Sequence, residues 1–171
     1  TDVGSTKTDI HTRVIQLDME ENFIGGHPMA GSEKTGLENS KRHLIENAYY
    51  VITPTGKVPA EAVEDSVKFI GSLKALPLVL DYKQHDYITA AISHLPHLIA
   101  AGLVNLVKHN DCKEQDMKTV AAGGFKDITR IASSSPVMWE QICMTNHENI
   151  SQLLGKYIES MQEIKDSLDQ V

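Results

Sequence analysis

Cysteine is almost absent: the 171 residues include only Cys112 and Cys143, with no CxxC, which excludes a disulfide framework and a thiolate-built structural zinc site. That usage fits a reducing, cytoplasmic setting. Positive charge is also short, with 16 Lys and Arg against 23 Asp and Glu and a net charge of −7. The bases are scattered rather than striped, so nothing gathers a phosphate backbone and nucleic acid is excluded as a partner. No signal-peptide pattern is present. The most apolar segment, AAISHLPHLIAAGLVNLV, is broken by two histidines and a proline; its unbroken part is well short of the roughly 18 residues of a membrane span. Finally, no GxGxxG followed by a distal acid occurs, and TGKVP at Thr55 lacks the glycine run of a phosphate loop. A complete dinucleotide-binding unit is therefore missing.

What is present reads as a packed chain, 41% apolar and 23% charged, close to ordinary globular values. Short β-branched and aromatic runs at Phe23-Ile24, Tyr49 to Thr53 and Pro77 to Leu80 predict strands. Between the last two, Val63, Val67, Ile70 and Leu73 recur at helical spacing after Pro59. Strand, helix, strand predicts an α/β portion with a parallel sheet. The opening TDVGSTK reads as the exit from a strand lying upstream. After Asp81 the pattern turns helical. A long helix is predicted from about Lys83 to Lys108, interrupted or bent at Pro96, followed by helices at Cys112 to Ala122, ending at Gly123-Gly124, and at Asp127 to Ala132. A last helix, which Asn146 can cap, carries Ile150, Leu154, Tyr157, Met161, Ile164 and Leu168 at 4,3,4,3,4 spacing. That stripe suits packing within the subunit or against a partner.

Several groups can carry chemistry. In FIGGHPMAGSE, His27 follows two glycines after a predicted strand, where α/β proteins place ligand loops. It is either a base for a substrate hydroxyl or a histidine stabilising its own turn. Glu33 is either a polar substrate contact or a solvated carboxylate. In SHLPH, Ser93, His94 and His97 are helical neighbours, open to substrate contact, to core hydrogen bonds, or to a metal with His85 or Asp86; no HExxH exists. Arg130, in GGFKDITR, can grip a carboxylate bidentately or pair with Asp127. Trp139 is a packing or a binding residue, and the Gly4-Ser5 turn before a helix can meet an anion or a cofactor amide.

Taken together, DVGSTK, FIGGHPMAGSEKTG, AYYVITP, HDYITAAISHLPHLIAAGL and AAGGFKDITRIASSSPVMW resemble the TyrA family, the prephenate and arogenate dehydrogenases of tyrosine biosynthesis, over residues 1 to 140. The resemblance implies residues 1–80 as the C-terminal part of an NAD-binding Rossmann domain, its late strands. It implies residues 81–171 as an all-α substrate-binding and dimerisation domain of the 6-phosphogluconate dehydrogenase C-terminal-like type. The implied reaction is NAD-dependent oxidative decarboxylation of prephenate to 4-hydroxyphenylpyruvate in a homodimer without a metal. His27 and Ser5 would be catalytic. Glu33, Ser93, His97, Gly123, Arg130 and Trp139 would bind substrate, the tryptophan reaching across from the partner subunit. Gly4, Ser5 and Pro28 would touch the cofactor, whose main motif is expected upstream of Thr1, and His94 would be structural. Without that motif the chain is expected to bind NAD poorly and to expose a sheet edge. The alternatives are an arogenate dehydrogenase, a helical dimerisation module without catalysis, and a zinc hydrolase on His85, His94 and His97.

Overall fold

The computed structural model describes residues 1–31 and 36–171. A short helix, α1 (Thr8–Gln16), leads into a three-stranded sheet of β1 (Ile24–Pro28), β2 (Tyr49–Pro54) and β3 (Leu76–Val79), with α2 (Ala60–Ser72) crossing between the last two. β2 and β3 are parallel, as the crossover helix demands, but β1 runs antiparallel to β2. The sheet is thus mixed rather than parallel. Ile52, Ile70 and Ala75 form the buried core under α2, with Ile24, Tyr50 and Val67 packed on it. α2 closes with Lys74 in the left-handed conformation at φ 62°, the usual stop after a helix C-cap. β3 is an edge strand of the sheet and leaves Leu76, Leu78 and Val79 exposed.

GGHP is part of strand β1 and not a loop after it. His27 pairs in register with Val51. The preceding glycines are required by close approach: a Cβ on Gly25 would lie 2.3 Å from Thr53 Oγ1, and one on Gly26 2.6 Å from the Asp2 carbonyl oxygen. They make room for the chain's own N-terminal residues.

Beyond the sheet, α3 (Tyr82–Thr89) begins at Asp81, whose carboxylate accepts the Lys83 and Gln84 amides. It continues through a π turn (Ala90–His94) into α4 (Leu95–Asn110) without a break. Pro96 therefore does not interrupt the helix. Proline leaves a carbonyl one turn back without its donor, and the wider turn absorbs the defect, with the Leu95 N–H bonding back to the Ala90 carbonyl. The extra residue also changes phase. At about 100° per residue, Asp86 and His94 behave as if seven apart, two full turns, and so lie on one face. Asn146 confirms this, its Nδ2 donating both to the Asp86 carbonyl (2.7 Å) and to His94 Nδ1 (3.1 Å).

That inward role contradicts the predicted capping by Asn146, whose side chain makes no cap hydrogen bond to the following helix. The later helices are α5 (Asp116–Val120), α6 (Gly123–Thr129), α7 (Pro136–Thr145) and α8 (His147–Leu168). α5 is shorter than predicted. The glycine pair opens α6 rather than ending α5, and α6 passes into a 3-10 turn at Arg130–Ser133. As one continuous helix, Tyr82–Asn110 is long and apolar enough by length and composition to cross a membrane, which the interrupted apolar run concealed. In this structure its polar face is buried and its apolar face borders α8. Along α8, Ile150 is buried while Met161, Ile164 and Leu168 are exposed, and with α4 this helix walls an apolar groove of about 620 Å³.

Candidate active site

The site grows from the contact between the sheet portion and α3. Asp86 is fully buried, and its two carboxylate oxygens accept the Lys7 and Thr8 amides, each at 2.8 Å. α1 starts at Thr8, so a residue far along the chain supplies the anion that this helix N-terminus attracts. The anion or cofactor contact predicted for the Gly4-Ser5 turn therefore does not fall on the α1 terminus. That terminus is already satisfied by Asp86, and the Gly4 amide donates to Asp2 Oδ2 at 2.8 Å. Lys7, also fully buried, pairs through Nζ with Asp2.

Next to Asp86, His85 bridges two groups. Its Nδ1 lies 2.8 Å from Asp86 Oδ1 and its Nε2 lies 2.8 Å from His27 Nδ1. A chain of three side chains therefore runs from α3 to β1. Burial alone would raise the Asp86 carboxyl, but hydrogen bonds from His85, Thr8 and Lys7 outweigh it and hold the group below the usual carboxylate range. For His27, burial first, then the neighbouring His85, Lys7 and His94, push its pKa down to about 4. At neutral pH it is an uncharged imidazole, the form that can take a proton.

A second cluster lies one turn beyond the π turn. His97, buried, stacks on Trp139 with ring centroids 3.6 Å apart and planes 5° from parallel, and His94 meets the same indole edge-on at 6.0 Å. Trp139 thus packs on histidines of its own chain. Two polar atoms here, His97 Nδ1 and Trp139 Nε1, are buried with no hydrogen-bond partner among the described residues. Buried orphans of this kind are costly unless something polar satisfies them. Burial lowers the His97 pKa, partly opposed by its hydrogen bond to the Ile131 carbonyl, which ties α4 to the turn opened by Arg130. Arg130 is exposed and has an interaction partner. Ser5 lies half-buried in the bend before α1, Pro28 ends β1, and Ser93 lies half-buried in the π turn. Gly123 is the first residue of α6, and a Cβ placed there would meet nothing within 4 Å. Glu33 lies outside the described residues.

The structure therefore joins His27 to His85 and Asp86, and His97 to Trp139 and His94. Sequence reasoning misses the first constellation because HD in KQHDY reads as part of a helix, and only the fold brings it to a strand 58 residues away. The zinc alternative finds no support in this geometry: among the described residues no group of three or more His, Cys, Asp or Glu is arranged to hold a metal. The α1 terminus and the Gly4 and Gly26 amides are all bonded internally, so these donors do not form a phosphate cradle, while Ser5 and Pro28 are half-buried.

Burial also pushes His94 down to about 4. His27 and His94 are thus neutral in the fold but charge near pH 6.5 when unfolded. Their contribution to stability is complete above about pH 6.5 and is lost as the pH falls towards 4. Urea midpoints across that window should fall steadily as the pH is lowered, and a flat profile would contradict the neutral state of both rings in the fold.

Comparison with known proteins places these features. A family model described as prephenate dehydrogenase, nucleotide-binding domain, matches residues 1–77, and one described as prephenate dehydrogenase, dimerization domain, matches residues 81–171. Prephenate dehydrogenase of Bacillus subtilis is 41% identical over 171 residues, covering 99% of this chain and 46% of the relative. The chain spans about half the length of the curated relatives it matches. Among solved structures, prephenate dehydrogenase from Aquifex aeolicus in complex with hydroxyphenyl propionate and NAD+ superposes with a TM-score of 0.90 at 32% identity, covering 99% of this chain and 59% of that one. Synechocystis arogenate dehydrogenase gives 0.84 at 28% identity, covering 99% and 61%.

Proposed function

The chain belongs to the prephenate dehydrogenase family, and from that premise we propose that it carries the substrate-binding part and the nicotinamide edge of an enzyme oxidising prephenate to 4-hydroxyphenylpyruvate with loss of the ring carboxylate. The observation that carries this reading is His27, a half-buried imidazole on β1 in contact with His85 and kept neutral. Oxidation of a ring hydroxyl needs such a group to take the hydroxyl proton as hydride leaves the carbon. NAD, when bound, is the hydride acceptor. Ser5 and Pro28 would hold its nicotinamide end, with Gly4 keeping the approach free of a side chain. Arg130 would grip a substrate carboxylate, Ser93 and His97 would contact its polar groups, and Glu33 would shape the entrance. Gly123 and Trp139 would form the wall.

We further read residues 1–80 as the cofactor-side domain and residues 81–171 as a helical domain of the 6-phosphogluconate dehydrogenase C-terminal-like type. The switch from sheet to helix at Asp81 supports that division. The apolar groove between α4 and α8 supports a homodimer, with Leu98, Gly102, Leu154 and Met161 among the residues offered to a second copy. Sedimentation equilibrium tests it, and a monomer at tens of micromolar would contradict it. The cytoplasm is the compartment assigned, in line with the two free thiols.

Arogenate is the second substrate reading, supported by the likeness to the Synechocystis enzyme. Steady-state rates with prephenate and arogenate, each with NAD and NADP and with these residues joined to a complete nucleotide-binding half, decide between them; turnover of neither overturns the function. Arg130→Ala should raise the KM for substrate about tenfold or more by removing a charge-assisted contact, and an unchanged KM removes Arg130 as the carboxylate anchor.

A further inference from the structure

We infer that His85 and Asp86 are positioning residues that fix the tautomer of His27, so that its Nε2 carries the lone pair and its Nδ1 the proton. The inference rests on the reading of His27 as the base. The argument is one of donor and acceptor counting. Asp86 is held as a carboxylate by three donors, the Lys7 and Thr8 amides and His85. A carboxylate only accepts, so the 2.8 Å contact at Asp86 Oδ1 requires the proton on His85 Nδ1. In a neutral His85 the other nitrogen, Nε2, is then an acceptor. The 2.8 Å contact from Nε2 to His27 Nδ1 in turn requires the proton on His27 Nδ1. Neutral His27 has one proton to place, which leaves Nε2 bare.

The first step is locked by burial. His85 is 1% exposed and Asp86 fully buried, so water does not compete for the bond between them, while His27 is half-buried on β1. The Thr89 hydroxyl donates to the carbonyls of both His85 and Asp86, and Asn146 donates to that of Asp86, which fixes the backbone from which the two side chains project. When Nε2 takes a proton, the resulting imidazolium still donates through Nδ1 to His85, with the Asp86 charge behind it. The dyad thus orients the ring without touching substrate. Because His27 is on β1 and the dyad on α3, the base has its active tautomer only where the sheet portion and the helical portion meet.

Two-bond 1H–15N correlation spectra of the full 15N-labelled chain at pH 7 read the tautomer directly, with His27→Asn and His85→Phe identifying the signals. The wild type should show His27 protonated at Nδ1 and bare at Nε2. His85→Phe, which keeps ring volume, should abolish that preference, and His85→Gln, whose side-chain carbonyl can still accept, should restore it. A wild-type His27 protonated at Nε2, or a preference unchanged in a folded His85→Phe chain, overturns the inference. Kinetically, His85→Phe should lower kcat about 100-fold with little change in KM, and His85→Gln should recover most of the loss; equal kcat in all three overturns the catalytic part. A wild type joined to a complete nucleotide-binding half and still inactive on prephenate and arogenate would overturn the proposed function while the spectra of the chain still judge the tautomer.

Discussion

With these residues joined to a complete nucleotide-binding half, replacing His27 with Asn should lower kcat by about 100- to 10,000-fold while NAD affinity is retained. Asparagine fits the strand position and can keep one polar contact to His85, so the fold need not change. It has no lone-pair nitrogen able to take a hydroxyl proton, and no other described side chain is placed to substitute. His94 has its Nδ1 committed to Asn146, and His97 is stacked flat against Trp139. Steady-state kinetics with calorimetric titration of cofactor is the measurement. Turnover within tenfold of wild type would remove His27 as the base, and lost NAD binding would point to a structural defect instead.

The second large effect is expected at Asp86, and on stability. Asp86→Ala strips the acceptor from the buried Lys7 amide and His85 imidazole and from the part-buried Thr8 amide, and leaves Lys7 and the start of α1 without their bond to α3. Removing one member of such a buried polar network costs on the order of 3–5 kcal/mol, a large share of the roughly 5–15 kcal/mol that holds a typical domain together. Urea unfolding should therefore show a strongly reduced midpoint or no folded baseline. Asp86→Asn keeps the volume and one acceptor oxygen but turns a bond to His85 or to an amide into a donor conflict, so it should fall between the two. Wild-type stability in Asp86→Ala would mean that the contact between α1 and α3 contributes little.

Much of this is legible in the chain itself. Helical spacing marks α2, the long helix after Asp81 and α8, because side-chain periodicity is a local property. The chemistry of GGHP, SHLPH and ITR points to residue types suited to a site for the same reason. What escapes is whatever depends on two distant segments at once. β1 runs antiparallel because its partner is β2, which periodicity does not report. The glycines before His27 look like a ligand loop, whereas they answer to Thr53 and Asp2. Asn146 has the sequence of a cap and the position of a bridge, and His85 and Asp86 read in sequence only as candidate metal ligands.

The π turn at Ala90–His94 is, in geometry, a helix that holds one extra residue. Closing it into regular helix at unchanged length would swing everything after it by about 100°, and Asp86 and His94 would then no longer share the Asn146 amide. Deleting one residue between Thr89 and Leu95 would instead leave the two groups seven apart on a regular helix, still two full turns and still on one face. The wide turn and the residue it accommodates should thus be lost only together.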